Sequence, residues 1–356
     1  MMYFIYSGMF FERSLYGDLL ELGKFRVLEH ERNAMIIETE RDFIKEHDKK
    51  PSMFVHGMFR MDVSDDIDEG RYVDSLYDMV RRLKLPKGKK IRIECYNVNS
   101  KKGLSAKQIE MELSDRLRKD GYNPEMISPD VLLYLVLVNM RCYAGIESYR
   151  KLEQKFLNPL RHYGSETGER MVSRAEAKLL EAFDVFRIKG KGIAIDLGAA
   201  PGGWSMVLAK KGYKVVAIDN ADLEYEKIEG QRLSTKVLTN LKKTKKTDIN
   251  EMLRNVDIVH IRENANTAFQ KISLKGVTMI ADDMNIEPEQ SAQLLMDYLG
   301  FAKKGAHLVM TVKCISKRVS KHVSKAEGIL GPRFRIKSVK ELPNNRQEVT
   351  LFARLV

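Results

Sequence analysis

The 356-residue chain reads as α/β, with a mainly parallel, doubly wound sheet in its C-terminal half and a smaller α+β module before it. Three observations predict this. Apolar runs separated by helical stretches recur from about residue 173 to the end, as in a parallel sheet covered on both faces. The stretch "DLGAAPGGW" (196–204) follows the apolar run "GIAI", where a first strand-to-helix turn belongs. Before residue 150, strand-like and helix-like segments mix without that regular alternation.

Composition sets the outer limits. The length exceeds one ordinary core and suits two or three domains. Lys and Arg number 61 against 49 Asp and Glu, giving a formal charge of +12 that favours phosphate-bearing partners. Cys95, Cys142 and Cys314 are far apart and form no CxxC, so the pattern indicates neither a zinc site nor a disulfide framework, and no metal is expected. The seven histidines are scattered without metal spacing. The start "MMYFIYSGMFFERS" has no basic leader, and no apolar stretch approaches the roughly 18 residues of a membrane span, so a cytoplasmic protein is expected, with no membrane partner.

Taken in order, residues 1–57 alternate "YFIYSGMFF", "AMIIETE" and "SMFVHGMF" with polar helical pieces, a small α+β, ferredoxin-like region. Residues 58–147 hold "FRMDV", helical "GRYVDSLYDMVRRLKL", strand "KIRIECYNV", the basic loop "NSKKGLSAK", helix "QIEMELSDRLRKDGY" and strands "DVLLYLVLV" and "RCYAGIES". Residues 148–172, charged and broken by Pro159, Gly164 and Gly168, read as a linker. The remaining domain, 173–356, carries "GIAIDLG", "KVVAIDN", "VDIVHIRE", "TMIADD", "AHLVMTVK" and "QEVTLFARLV" as strands.

In a doubly wound sheet the ligand lies outside the carboxyl ends of the strands. The loop containing Gly198, Pro201, Gly202 and Gly203 sits there, and its glycines are expected to let a ligand approach the backbone. Asp219 ends the next strand, where a carboxylate accepts hydrogen bonds from the hydroxyls of an adenosine ribose. The spacing is G-x-x-x-G-G with a proline inside, not the G-x-G-x-x-G of pyrophosphate cofactors. S-adenosylmethionine, with adenosine and an amino-acid end but no phosphate, fits better, and Asp196 is expected to face its ammonium.

"DLGAAPGGWS" resembles the corresponding loop of the FtsJ-type ribose 2′-O-methyltransferases, in which the Pro-Gly-Gly-Trp run, ending here at Trp204, is distinctive. The resemblance implies a Rossmann-like methyltransferase domain over 173–356. It also implies the family's Lys-Asp-Lys-Glu set at Lys178 in "SRAEAKLLEAFDVF", Asp283 in "MIADDM", Lys313 in "LVMTVK" and Glu348 in "NRQEVTLFARLV". Where the family often places an acid for the adenine amino group, "IRENAN" offers Asn264. The segment from "KIRIECYNV" to "RCYAGI" resembles a THUMP domain, an RNA-binding module of tRNA-modifying and some rRNA-modifying enzymes. The two together are similar to a bacterial family of large-subunit rRNA cytidine 2′-O-methyltransferases. The implied activity is methylation of a ribose 2′-hydroxyl of structured RNA, with tRNA the favoured substrate and rRNA the alternative.

That chemistry needs such residues. A ribose hydroxyl is a poor nucleophile, so a base must take its proton as it attacks the methyl group. Lys313 is expected to be that base, its pKa lowered by Lys178 and by desolvation. Asp283 then orients and Glu348 anchors. A lone lysine or glutamate is an ordinary surface residue; "TVK" and "QEV" differ because they set a charge within apolar strands. For RNA, Lys101, Lys102 and Lys107 in "KKGLSAK", the run "KKTKK" (242–246), and the row Lys317, Lys321, Lys325 are the candidate phosphate contacts. A non-catalytic RNA-binding protein would be marked by loss of a member of the four-residue set. A small-molecule or protein methyltransferase would leave the basic stretches without use.

Overall fold

The computed structural model describes residues 1–8, 12–31, 33–98, 105–150, 175–314 and 319–356, and the chain divides into two compact units, 1–160 and 161–356.

In the first unit, strands β1 (Met2–Tyr6), β2 (Arg26–Glu31), β3 (Ala34–Glu38) and β4 (Gly57–Met61) form an antiparallel sheet in the order β2-β3-β1-β4. With helices Glu12–Leu22 and Phe43–Lys49 between them the order is βαββαβ, the ferredoxin-like arrangement. A second sheet runs β5-β9-β8-β6-β7, from β5 (Val63–Asp66), β6 (Lys90–Asn97), β7 (Asn123–Pro124), β8 (Val131–Val138) and β9 (Arg141–Ser148). The parallel pair β6 and β8 is joined through the helix Ala106–Lys119, whose start is fixed by a capping box. There Ser105 accepts from the Gln108 backbone N–H while its own N–H donates to the Gln108 side chain. This helix and Tyr72–Arg82 bury Leu76, Met79, Val80, Ile109, Leu113 and Leu117 against the sheet.

The boundary expected at residue 57/58 is displaced by the structure. "FRM" of "FRMDV" belongs to β4 of the first sheet, and only Val63 onward joins the second. The two sheets are in fact joined by packing: Phe59 stacks on Tyr134 with centroids 4.1 Å apart, and a Cβ at Gly145 of β9 would lie 2.1 Å from the Arg60 carbonyl. Glycine is required there for backbone contact between β4 and β9.

The second unit is built on one eight-stranded sheet, ordered β12-β14-β11-β10-β16-β17-β19-β18. Its strands are β10 (Gly192–Leu197), β11 (Tyr213–Asp219), β12 (Thr235–Leu238), β14 (Ile258–Arg262), β16 (Val277–Asp282), β17 (Ala302–Lys313), β18 (Phe334–Lys340) and β19 (Glu348–Leu355). Two-residue strands β13 (Thr247–Asp248) and β15 (Ile272–Ser273) pair with each other. Neighbours from β12 through β17 are parallel, while β19 is antiparallel to both β17 and β18. The central strands are buried at nearly every position, which explains their continuous apolar runs. Order reverses between β10 and β16, so the crevice of this sheet opens at the carboxyl end of that pair.

Candidate active site

Three strand ends and one strand start meet at this crevice. β10 leads into the glycine loop, β16 ends just before Asp283, and β17 ends at Lys313. Because β19 runs antiparallel to β17, its first residue lies at the same end, and the register sets Glu348 directly opposite Lys313. Lys178 arrives from the helix Ala175–Val185.

These four side chains form a closed ring. Lys178 Nζ donates to both Asp283 oxygens, at 2.9 and 2.8 Å, and to Glu348 Oε1 at 2.8 Å. Lys313 Nζ donates to Asp283 Oδ1 at 2.8 Å and Glu348 Oε2 at 2.6 Å. The side chains are only 11–15% exposed, so each charge depends on its partners to offset lost hydration. Burial pushes the Asp283 carboxyl up, but Lys178 and Lys313 outweigh it and hold the group below its usual value. For Lys313, burial pushes the ammonium down, and Asp283 and Glu348 reverse this and hold it above the usual lysine value. The sequence-based expectation of a lowered Lys313 pKa is therefore corrected: in this arrangement the lysine is held protonated.

Sequence reasoning missed the residues that brace the ring. Thr311 Oγ1 donates to Asp283 Oδ1 at 2.8 Å. The signal was there, since in "TVK" the threonine lies two residues before Lys313 and so on the same strand face. Asn345, buried, donates to Glu348 Oε1 at 3.4 Å while accepting from Leu342 N and Thr350 Oγ1. Glu181 Oε2 accepts from the Asn344 backbone and side-chain nitrogens at 3.0 and 3.2 Å, tying the Lys178 helix to the turn before Glu348. Nothing in the spacing of "LPNNRQE" marks those asparagines.

The loop departs from expectation in several ways. Gly198 and Gly202 have φ of 73° and 111°. A Cβ on Gly198 would lie 3.0 Å from Met284 Cα, and one on Gly202 would lie 2.7 Å from Ile228 Cδ1. The protein's own packing and left-handed backbone thus demand these glycines, whatever approaches from outside. Gly203 opens the helix Gly203–Lys210 and is buried, and Pro201 offers its carbonyl to Glu224 N at 2.9 Å. Trp204 is 3% exposed and its Nε1 donates to the Ala175 carbonyl, so it lies in the core and not on a ligand surface. Asp196 is fully buried beneath the loop: Oδ2 accepts from Ser205 Oγ at 2.6 Å and Oδ1 has no hydrogen-bond partner. Burial, with Asp283, Asp282 and Asp219 adding to it, pushes the Asp196 carboxyl up to about 8 despite the Ser205 bond.

Asp219 is partly exposed at the end of β11, accepting from Ala200 N at 3.0 Å and Ala221 N at 2.9 Å. Asn264 is exposed, but its Oδ1 is used as the N-cap of Ala265–Lys271, accepting from Asn266 N at 2.9 Å.

Of the expected RNA contacts, Lys107 and Lys321 are exposed on their helices, as are residues 242–246; Lys101, Lys102 and Lys317 lie outside the described residues. Lys325, half exposed, is paired with Glu289. Cys95, Cys142 and Cys314 are free thiols, all buried. No helix among the described residues is long and apolar enough to cross a membrane.

Residues 171–324 match the family described as FtsJ-like methyltransferase. Over 195 residues the chain is 27% identical to an uncharacterized protein of Methanocaldococcus jannaschii, covering 53% of this chain and 48% of that one. It is 26% identical over 286 residues to ribosomal RNA large subunit methyltransferase M of Sodalis glossinidius, covering 74% of this chain and 69% of the other. Against the protein of the same name in Laribacter hongkongensis it is 28% identical over 194 residues, covering 51% and 47%. The chain spans about half the length of the curated relatives it matches, the Sodalis protein excepted.

Proposed function

We propose, from the premise that residues 171–324 form an FtsJ-like methyltransferase domain, that this protein methylates a ribose 2′-hydroxyl of structured RNA, with S-adenosylmethionine as donor. The observation that carries the reading is the ring of Lys178, Asp283, Lys313 and Glu348, assembled at the carboxyl ends of the strands beside the glycine loop.

The residues present fit the donor. Each Asp219 oxygen accepts one backbone N–H and keeps lone-pair capacity for a ribose hydroxyl. Asp196 Oδ1, an acceptor without a partner below the loop, matches a cationic amino-acid end. The Asn264 amide nitrogen, not used by its cap, is the group left to meet adenine.

S-adenosylmethionine supplies an electrophilic methyl group, and the rest of the work falls to the chain. A ribose hydroxyl becomes a useful nucleophile only as it loses its proton, and Lys313 Nζ is assigned to receive it. In the ring that nitrogen is held as ammonium by two carboxylates. The incoming hydroxyl must therefore replace one of these contacts, so that Lys313 releases its own proton to solvent and the neutral amine then takes the proton of the hydroxyl. Lys178, bonded to both carboxylates, keeps their charge balanced while this happens and favours negative charge developing on the ribose oxygen.

For the RNA, the THUMP-like region favours tRNA, whereas the relatives named as large-subunit methyltransferases favour large-subunit rRNA. We take rRNA as the reading, because that likeness includes the Sodalis protein over most of both chains. The cytoplasm is the inferred place of work. The test is transfer from methyl-labelled donor to rRNA and tRNA presented separately, followed by alkaline hydrolysis, which a 2′-O-methyl group blocks. Label in alkali-resistant dinucleotides of rRNA is expected. Label on bases, or none on either RNA while both bind, would favour another methyltransferase class or a non-catalytic RNA-binding protein.

A further inference from the structure

Trp204 is the single tryptophan of the chain, the second residue of the helix Gly203–Lys210, and 3% exposed. Its Nε1 donates to the Ala175 carbonyl at 2.8 Å. Ala175 opens the helix that carries Lys178, so the acceptor lies about one helical turn from the lysine. The Glu181–Asn344 bonds fix that helix further along, to the turn that leads into Glu348. Lys178 thus stands between two polar ties, one from the loop helix and one from the β19 side.

Such ties matter because of what Lys178 must do. An ammonium has three donors, and Lys178 spends all of them within the ring, at 2.9, 2.8 and 2.8 Å. Three bonds of that length tolerate little displacement of the helix. An aromatic residue that only filled the core would need no polar group, and phenylalanine would serve. Indole combines that bulk with a directional donor.

We propose that Trp204 is a positioning residue, whose indole N–H fixes the Lys178 helix against the loop helix so that loop and lysine are held as one unit. The inference rests on the proposed function for its catalytic consequence, but the positioning itself is independent of it.

Because Trp204 is the only tryptophan, replacing tryptophan throughout the chain by 3-benzothienylalanine changes this one side chain, substituting sulfur for N–H with nearly the same shape. Trp204→Phe is the encodable companion. Both should lower the single-turnover rate about five- to tenfold, the value of one neutral hydrogen bond. Affinity for S-adenosylhomocysteine, read by calorimetry, should stay within about twofold, since no ligand touches the ring in this account. In a Lys178→Ala background neither replacement should lower the rate further, because the tie then has nothing to place.

A readout without activity is the NMR signal of the Lys178 ammonium: slow to exchange in the parent protein, it should exchange faster in the benzothienyl variant, with the melting temperature little changed. An unchanged Lys178 signal, additive rate losses, or lost donor affinity at an unchanged rate would each overturn the proposal. A parent protein that transfers no methyl group would instead count against the proposed function, leaving the NMR comparison to decide the positioning.

Discussion

In the proposed function Lys313 is asked for two opposed things, to sit as a cation between Asp283 and Glu348 and to take a proton from a hydroxyl. Burial alone would favour the neutral amine, but the two carboxylates hold the ammonium above its usual value. A group so held loses its proton only as pH rises through that raised value. In the free protein the Lys313 ammonium should therefore persist to the ordinary lysine value of 10.5 and beyond, whereas the single-turnover rate reports the RNA complex, in which one carboxylate contact is replaced, and should show a limb rising with pH that Lys313→Arg lacks. A rising limb that survives in Lys313→Arg would move the base role elsewhere. Lys313→Arg keeps the charge but cannot deprotonate, so the rate should fall by about 10² to 10⁴ with donor and RNA still bound. At the other wall of the crevice, Asp219→Ala removes both the proposed acceptor for the donor ribose and the tie to Ala200, and calorimetry should show about ten- to hundredfold weaker S-adenosylhomocysteine binding. The four ring residues were legible through the resemblance to the FtsJ-type family, and by pattern alone only "TVK" and "QEV" stood out, since each sets a charge within an apolar strand. Trp204 was not, since the same letter serves a ligand wall or a buried brace, and only its three-dimensional neighbours distinguish them.

Among elements, the antiparallel pairing of β17 and β19 matters most to the site, because it sets Glu348 opposite Lys313. A one-residue slip would turn Glu348 to the other face of the sheet. The carboxyl ends of β10 and β16 also bury two acids, Asp196 and Asp282, pushed up chiefly by burial to about 8 and about 7. Asp282 is held by Ser291 and by the Met284 N–H. Both folded-state values lie above the usual 3.8, so between those limits these two sites bind more protons in the folded unit than in the unfolded chain. Their contribution to stability should accordingly fall as pH rises from about 4 to about 8, and the melting temperature of Asp196→Asn relative to the parent protein should rise across that window. A difference that stays level or falls would contradict the assignment. The buried strands could be read from their continuous apolar runs. The edge strands Arg26–Glu31, Thr235–Leu238 and Phe334–Lys340 could not, because their exposed positions carry polar residues that read as loop. Strand order is likewise absent from the sequence pattern, since any parallel pair bounded by helices looks the same.

For the whole molecule, the formal charge of +12 suits the proposed RNA substrate, and the exposed lysines are where that proposal is tested. Replacing Lys107 and Lys321 with alanine should weaken RNA binding and flatten the dependence of log affinity on log salt by about one unit per lost contact, leaving donor affinity unchanged. A salt slope equal to that of the parent protein would make both lysines ordinary solvated charges. That the ring methylates a ribose of RNA, as proposed, is checked by mapping 2′-O-methyl groups across total RNA. The cells to compare lack the gene, or lack it and carry either the parent protein or Lys313→Arg. Loss of a ribose methyl group from large-subunit rRNA is expected, restored by the parent protein and not by Lys313→Arg. An unaltered set of ribose methyl groups in the cells lacking the gene, or restoration by the arginine variant as complete as by the parent, would contradict it.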